Sequence, residues 1–129
     1  MNKLLTSLLV MSLSTVSVEA ASAQERHINI IFIDHGQAAD PFHTAIKNGA
    51  QAAAKQAGVH LEFRQPDSFD MTQIANLITA AANQRPDGIV TTIPDTDALA
   101  QPIKRALSQG ITVIGTNASP ETARKVGIA

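Results

Sequence analysis

The chain has 129 residues and a formal net charge of −1, with 10 Lys and Arg against 11 Asp and Glu, and it contains no cysteine. That length accommodates one domain and not two, and the nearly neutral balance, without a basic stripe, argues against nucleic acid or an anionic membrane surface as partner. The lack of cysteine argues against a disulfide framework and against a lipid anchor, which in bacteria needs a cysteine at the cleavage site.

Met1-Asn2-Lys3 is a short positive start, residues 4–16 are mostly apolar, and Ala21-Ser22-Ala23 fits a small-x-small processing site. In that order they predict a signal peptide over 1–23, cleaved after Ala23 so that the mature chain begins at Gln24. The competing reading is a buried N-terminal helix. The apolar part is too short to span a membrane, and no later segment qualifies. The remainder, 24–129, has the size of one small domain. Export without cysteine points to a bacterial periplasm.

The first predicted strand is the apolar run from Ile28 through Phe32 to Ile33, as expected for a strand covered on both faces. Asp40-Pro41 is a helix-start signal, since Asp can accept a free amide of the first turn and Pro has none to lose. Phe42, Ala45, Ile46, Gly49, Ala50, Ala53 and Ala57 then follow helical spacing on one face, and Gly58 ends the helix. Residues 59–64 alternate, with Val59, Leu61 and Phe63 facing one way, which predicts a half-buried edge strand. Asp70 to Gln73 is a capping-box variant opening a second helix, with Ile74, Leu77, Ile78, Ala81 and Ala82 inward.

The turn Arg85-Pro-Asp-Gly88 stops that helix. Ile89 to Ile93 is a third strand, and Pro94 to Asp97 the loop after it. A third helix runs to Gln109 with Leu99, Ile103, Ala106 and Leu107 inward and Pro102 within its first turn or so. Gly110 closes it, Ile111 to Ile114 is a fourth strand, and Gly115 to Ser119 a polar loop. Pro120 can open one more helix. The pattern β-α-β-α-β-α-β with right-handed crossovers predicts an α/β fold, a three-layer α/β/α Rossmann-like lobe with a parallel sheet. The more apolar strands belong inside, which favours the order 2-1-3-4 with a switch point between strands 1 and 3.

Three loops then meet at the carboxyl edge of the sheet. They carry His35, Gln37, Asp40, Phe42 and His43; Asp95 and Asp97; and Thr116, Asn117 and Ser119. Amides and carboxylates exchange hydrogen bonds with vicinal hydroxyls, and a Phe ring covers the apolar face of a sugar, so this is a set suited to a polyol or sugar. Each residue also has a plainer reading: Asp40 and Asp97 as helix caps, Phe42 as core. No Gly-x-Gly-x-x-Gly or Gly-Lys-Ser/Thr cradles a nucleotide phosphate, and no cofactor is expected. Asp34, His35, Asp40 and His43 match no metal-ligand spacing, and no Ser sits in a nucleophile elbow. Asn117-Ala-Ser119 is formally a glycosylation acceptor, followed by Pro120. His27 and His60 read as exposed strand residues.

The segments Ile30 to Asp34, Asp40-Pro-Phe-His43, Asn48 to Gly58, Arg85 to Ile89, Ile93 to Asp95 and Gln109 to Ile114 together resemble the ribose-binding-like periplasmic proteins of ABC transporters. The resemblance covers essentially all of the mature chain. It implies one of two α/β lobes that close on a monosaccharide or polyol and hand it to an ABC permease in the inner membrane. It implies contacts from the Asp40-Pro-Phe-His43 loop, near Asp95, and at Asn117. Many relatives have a second aromatic where this chain has His43, and Asp-Arg where it has Asn117-Ala118. The family runs to about twice this length or more, so the expectation is an N-terminal lobe alone, truncated, with self-association through the apolar edge at Ile111, Val113 and Ile114.

Two other classes share the fold. One is the effector-binding core of a LacI-like transcriptional regulator without its DNA-binding domain, against which the export signal counts. The other is a small α/β enzyme, for which no nucleophile–base pair stands out. Fold alone does not separate them.

Overall fold

A computed structural model of the chain describes residues 27–129. The expected signal peptide and its cleavage site lie outside the described residues. Four strands form the sheet: β1 Asn29–Ile33, β2 His60–Arg64, β3 Gly88–Thr92 and β4 Thr112–Thr116. All neighbours pair parallel, in the order β2-β1-β3-β4, as the sequence patterns predict. The helices are α1 Pro41–Ala57, α2 Met71–Asn83, α3 Thr96–Ser108 and α4 Pro120–Lys125.

The strand order decides how the layers divide. The step from β1 to β2 runs one way along the sheet, and the steps from β2 to β3 and β3 to β4 run the other. Right-handed crossovers then place α1 on one face and α2 and α3 on the opposite one. The core forms on the two-helix face. Ile31, Ile33, Ile89 and Val113 point into it from the strands and meet Ile74 and Ile78 of α2 and Leu99 and Ile103 of α3. Each fully buried aliphatic side chain there contributes about 1.5–3 kcal/mol. Val126 and Ile128, after α4, close the same core.

The α1 face is covered only in part. Phe32 is buried under α1, but Ile30 and Val90 are half-buried and Ile114 is 55% exposed. This corrects the expectation of an open apolar edge at β4. Ile111 and Val113 are buried in the core, and the apolar surface left open is the sheet face around Ile114. A groove of about 430 Å³ lies there, walled by Ile28, Ile30, Val90 and Ile114.

The same partial coverage changes the reading of α1. Its buried residues are His43 and Ala54. Ala45, Gly49, Ala53 and Ala57, expected to face inward, remain exposed, because among the described residues no second helix packs beside α1. Phe42 is 58% exposed and is not core.

Smaller differences are local. Pro102 is the seventh residue of α3, not in its first turn, because the helix starts at Thr96 with Asp95 as its cap. The capping box at α2 is incomplete: Asp70 accepts from Thr72 N–H, but the Gln73 side chain reaches back to Asp67 N–H. β4 runs to Thr116 and takes in two residues of the expected loop, since Gly115 and Thr116 pair with Thr91 and Thr92. Gly58 is the left-handed C-cap of α1, at φ 67°. Arg85 (φ 52°) makes the turn into β3, where Asp87 N–H donates to Asn29 C=O and the Asp87 carboxylate accepts from Asn29 N–H.

Candidate functional site

Because all four strands run parallel, their carboxyl ends share one edge, where open α/β sheets take ligands. The loop after β1 is tied down first. Asp34 N–H donates to Arg64 C=O at the end of β2, and His35 N–H donates to the Thr92 hydroxyl at the end of β3, at 2.9 Å. Asp40 caps α1 by accepting from Phe42 N–H at 2.8 Å, and Thr44 Oγ1 bonds back to Ala38 C=O.

Within this frame sits a buried polar cluster. Asp34 is fully buried. Its Oδ2 lies 2.7 Å from His43 Nδ1 and accepts from Gln65 Nε2 at 3.1 Å. Among the described residues its Oδ1 has no hydrogen-bond partner, nor has the buried Nδ1 of His35, which stands 3.9 Å away. Burial holds the His35 imidazole below its ordinary pKa; the nearby Asp34 carboxylate opposes this and His43 adds to it.

Four rings adjoin the cluster edge to face. Phe42 lies 5.2 Å from His43, His43 lies 4.9 Å from His35, and His35 lies 5.8 Å from Phe69. The two phenyl rings at the ends are 58% and 62% exposed. A cavity of about 240 Å³ opens here, lined by His35, Gly36, Gln37, Asp40, His43 and Phe69. It is smaller than the groove on the open sheet face, but its polar groups converge at the carboxyl edge.

The structure thus gathers His35, Gln37, Asp40 and His43 around one cavity, with Phe42 against the His43 ring. Asp95 and Asn117 lie at the same sheet edge, after β3 and β4, but do not line that cavity. Asp95 is the cap of α3, accepting from Asp97 N–H and Ala98 N–H at 2.9 Å, so the cap expected of Asp97 belongs to Asp95. Asn117 takes a left-handed φ of 52°, in the turn before Ser119 caps α4. Sequence reasoning missed Phe69, Gly36 and Gln65. An apolar ring in the otherwise polar loop after β2 was the available signal for Phe69.

Among the described residues no group of three or more His, Cys, Asp or Glu is placed to hold a metal ion. No helix among them is long and apolar enough to cross a membrane.

The model of a periplasmic binding protein domain matches residues 23–129. The chain belongs to that family. Among solved structures, this binding-protein lobe is similar to a carbohydrate transporter from Acidothermus cellulolyticus determined with myo-inositol, at 39% identity and TM-score 0.72, over 79% of this chain and 35% of that one. It is similar to a periplasmic sugar-binding protein of an ABC sugar transporter from Legionella pneumophila, at 30% identity and TM-score 0.73, over 79% and 37%. A protein from Brachyspira murdochii described as an ABC transporter, LacI family transcriptional regulator, matches at 28% identity and TM-score 0.65, over 76% and 31%. The chain therefore spans about a third of the length of these relatives. The family and these sugar-binding neighbours are binding proteins, not enzymes, and the family implies a periplasmic location.

Proposed function

We propose that this lobe supplies one wall of a periplasmic sugar or polyol site whose ligand is passed to an ABC permease. The observation that carries the reading is the pair of exposed phenyl rings, Phe42 and Phe69, flanking a cavity edged by Gln37, Asp40 and His43. Rings cover the apolar face of a sugar, and amide, carboxylate and imidazole groups meet its hydroxyls. His35, Gln37, Asp40, Phe42 and His43 form the wall, with Asp95 and Asn117 contributing from the neighbouring loops. The myo-inositol bound to the Acidothermus relative makes polyols the first class to test.

Export completes the reading, with cleavage after Ala23 and a mature start at Gln24, checked by the intact mass of periplasmic material. In the two-lobed scheme a second lobe supplies about half of the polar contacts. If each lost hydrogen bond is worth about 0.5–1.5 kcal/mol, losing several weakens binding by orders of magnitude. Backbone amide NMR shifts during titration with pentoses, hexoses and myo-inositol therefore test the site better than calorimetry. Weak binding with perturbed amides near residues 35–43, 69, 95 and 117 is expected. Perturbation confined to the open sheet face would overturn the site.

The Brachyspira match favours a second reading, the effector-binding core of a LacI-like regulator. Recovery of the chain with Met1 intact in the cytoplasm would support it.

A further inference from the structure

The buried Asp34 carboxylate has no role in the wall just described, yet it bonds a residue that does. We propose that Asp34 is a positioning residue that fixes the tautomer of His43, so that His43 presents an unprotonated Nε2 to the cavity and reads a hydroxyl donor on the ligand. The proposal rests on the sugar-binding reading for its ligand half only.

Asp34 Oδ2 receives two groups, His43 Nδ1 at 2.7 Å and Gln65 Nε2 at 3.1 Å. An amide nitrogen can only donate, so Oδ2 accepts from Gln65, and an Asp34 carboxylate, having no proton to give, takes the proton of the imidazole nitrogen facing it. A neutral imidazole with a protonated Nδ1 leaves a lone pair on Nε2. Among the described residues Nε2 has no hydrogen-bond partner and is not one of the sealed, unpaired atoms. His43 also lines the cavity.

The ring has little freedom to turn away. A Cβ on Gly36 would fall 1.9 Å from its Cγ, so the backbone of the β1 loop lies directly against it. The rings of His35 and Phe42 also pack against it edge to face, at 4.9 and 5.2 Å. An acceptor fixed in this way selects a ligand with a hydroxyl hydrogen at that point, because a site built around one hydrogen bond penalises a ligand that lacks it. Where the resemblance places a second aromatic, this chain has a polar reader.

The test is imidazole nitrogen NMR on the 129-residue chain near neutral pH, with myo-inositol as the probe. In the unliganded wild type the expected spectrum shows His43 with a protonated Nδ1 and a bare Nε2. Asp34→Leu, which removes the acceptor, is expected to lose that preference and to weaken myo-inositol binding tenfold or more, about 1.4 kcal/mol. Addition of myo-inositol to the wild type is expected to shift the Nε2 resonance. A proton on Nε2, in the neutral or the imidazolium form, overturns the proposal whatever the ligand does and needs no variant to fold. The expected tautomer together with shifts at Phe42 and Asp40 but none at Nε2 overturns the ligand half and leaves the sugar reading standing. No shift anywhere with myo-inositol or the other polyols overturns the sugar reading and the ligand half with it, while the tautomer result is decided separately.

Discussion

The His43 ring occupies the space that any side chain on Gly36 would need: a Cβ there would lie within 1.9–2.2 Å of three of its ring atoms. The loop after β1 and the first turn of α1 are therefore fitted to each other at one point, and the Asp34–His43 bond closes that fit from beneath.

Gly36→Ala should accordingly destabilise the lobe by about 1–3 kcal/mol, as overpacking does, and should break the Asp34–His43 contact. Gly49→Ala is the control. Gly49 lies inside α1 with nothing within 4 Å of an added Cβ, so the change should stabilise by up to about 1 kcal/mol. Urea midpoints compare the two, and equal effects would contradict the packing described at Gly36.

His35 makes stability depend on pH. Its folded pKa lies below the ordinary 6.5, so the unfolded chain binds the proton more readily. The sign follows: the contribution is fully present above about 6.5 and is lost as pH falls from there through the lower folded value. His35→Gln should flatten the wild-type fall in urea midpoint between about pH 8 and about pH 5. Parallel wild-type and variant curves would remove His35 as the cause.

Asp95 has two candidate roles that substitution separates. As a cap it accepts two backbone N–H groups, so Asp95→Ala should cost about 0.5–2 kcal/mol while Asp95→Asn keeps most of the stability. If it also meets a polyol hydroxyl, Asp95→Asn alters the NMR titration without altering the melting temperature. An unchanged titration would leave it a cap alone.

The open sheet face should drive self-association. Ile114 is 55% exposed beside Ile30 and Val90. Ile114→Lys should reduce association in sedimentation velocity while changing stability by no more than about 0.5 kcal/mol, the usual range for an exposed site. Unchanged sedimentation would place any contact elsewhere.

Much of this lobe was legible in the sequence because its signals are local. Apolar runs, the Asp40-Pro41 start, Gly58 and the Arg85–Gly88 turn act through neighbouring backbone, and β1 and β3 take the inner places their apolar runs predict, although the apolar β4 lies at an edge. Coverage of the sheet was not legible, since Ile114 is as apolar as Val113 and only the side on which each helix crosses separates them. Nor was the inner wall of the cavity. The sequence offers His43 as a candidate ligand contact, but not its seat, which forms only when Asp34 and Gly36 of the loop after β1 and the distant Gln65 are folded around it. Periodicity and capping are set within a few residues, so sequence alone determined the elements and their order. Burial and hydrogen bonding across the chain depend on which elements pack together, so only the tertiary structure decided that Phe42 stays exposed, that Phe69 joins the same ring series, and that the buried Asp34 carboxylate bonds His43.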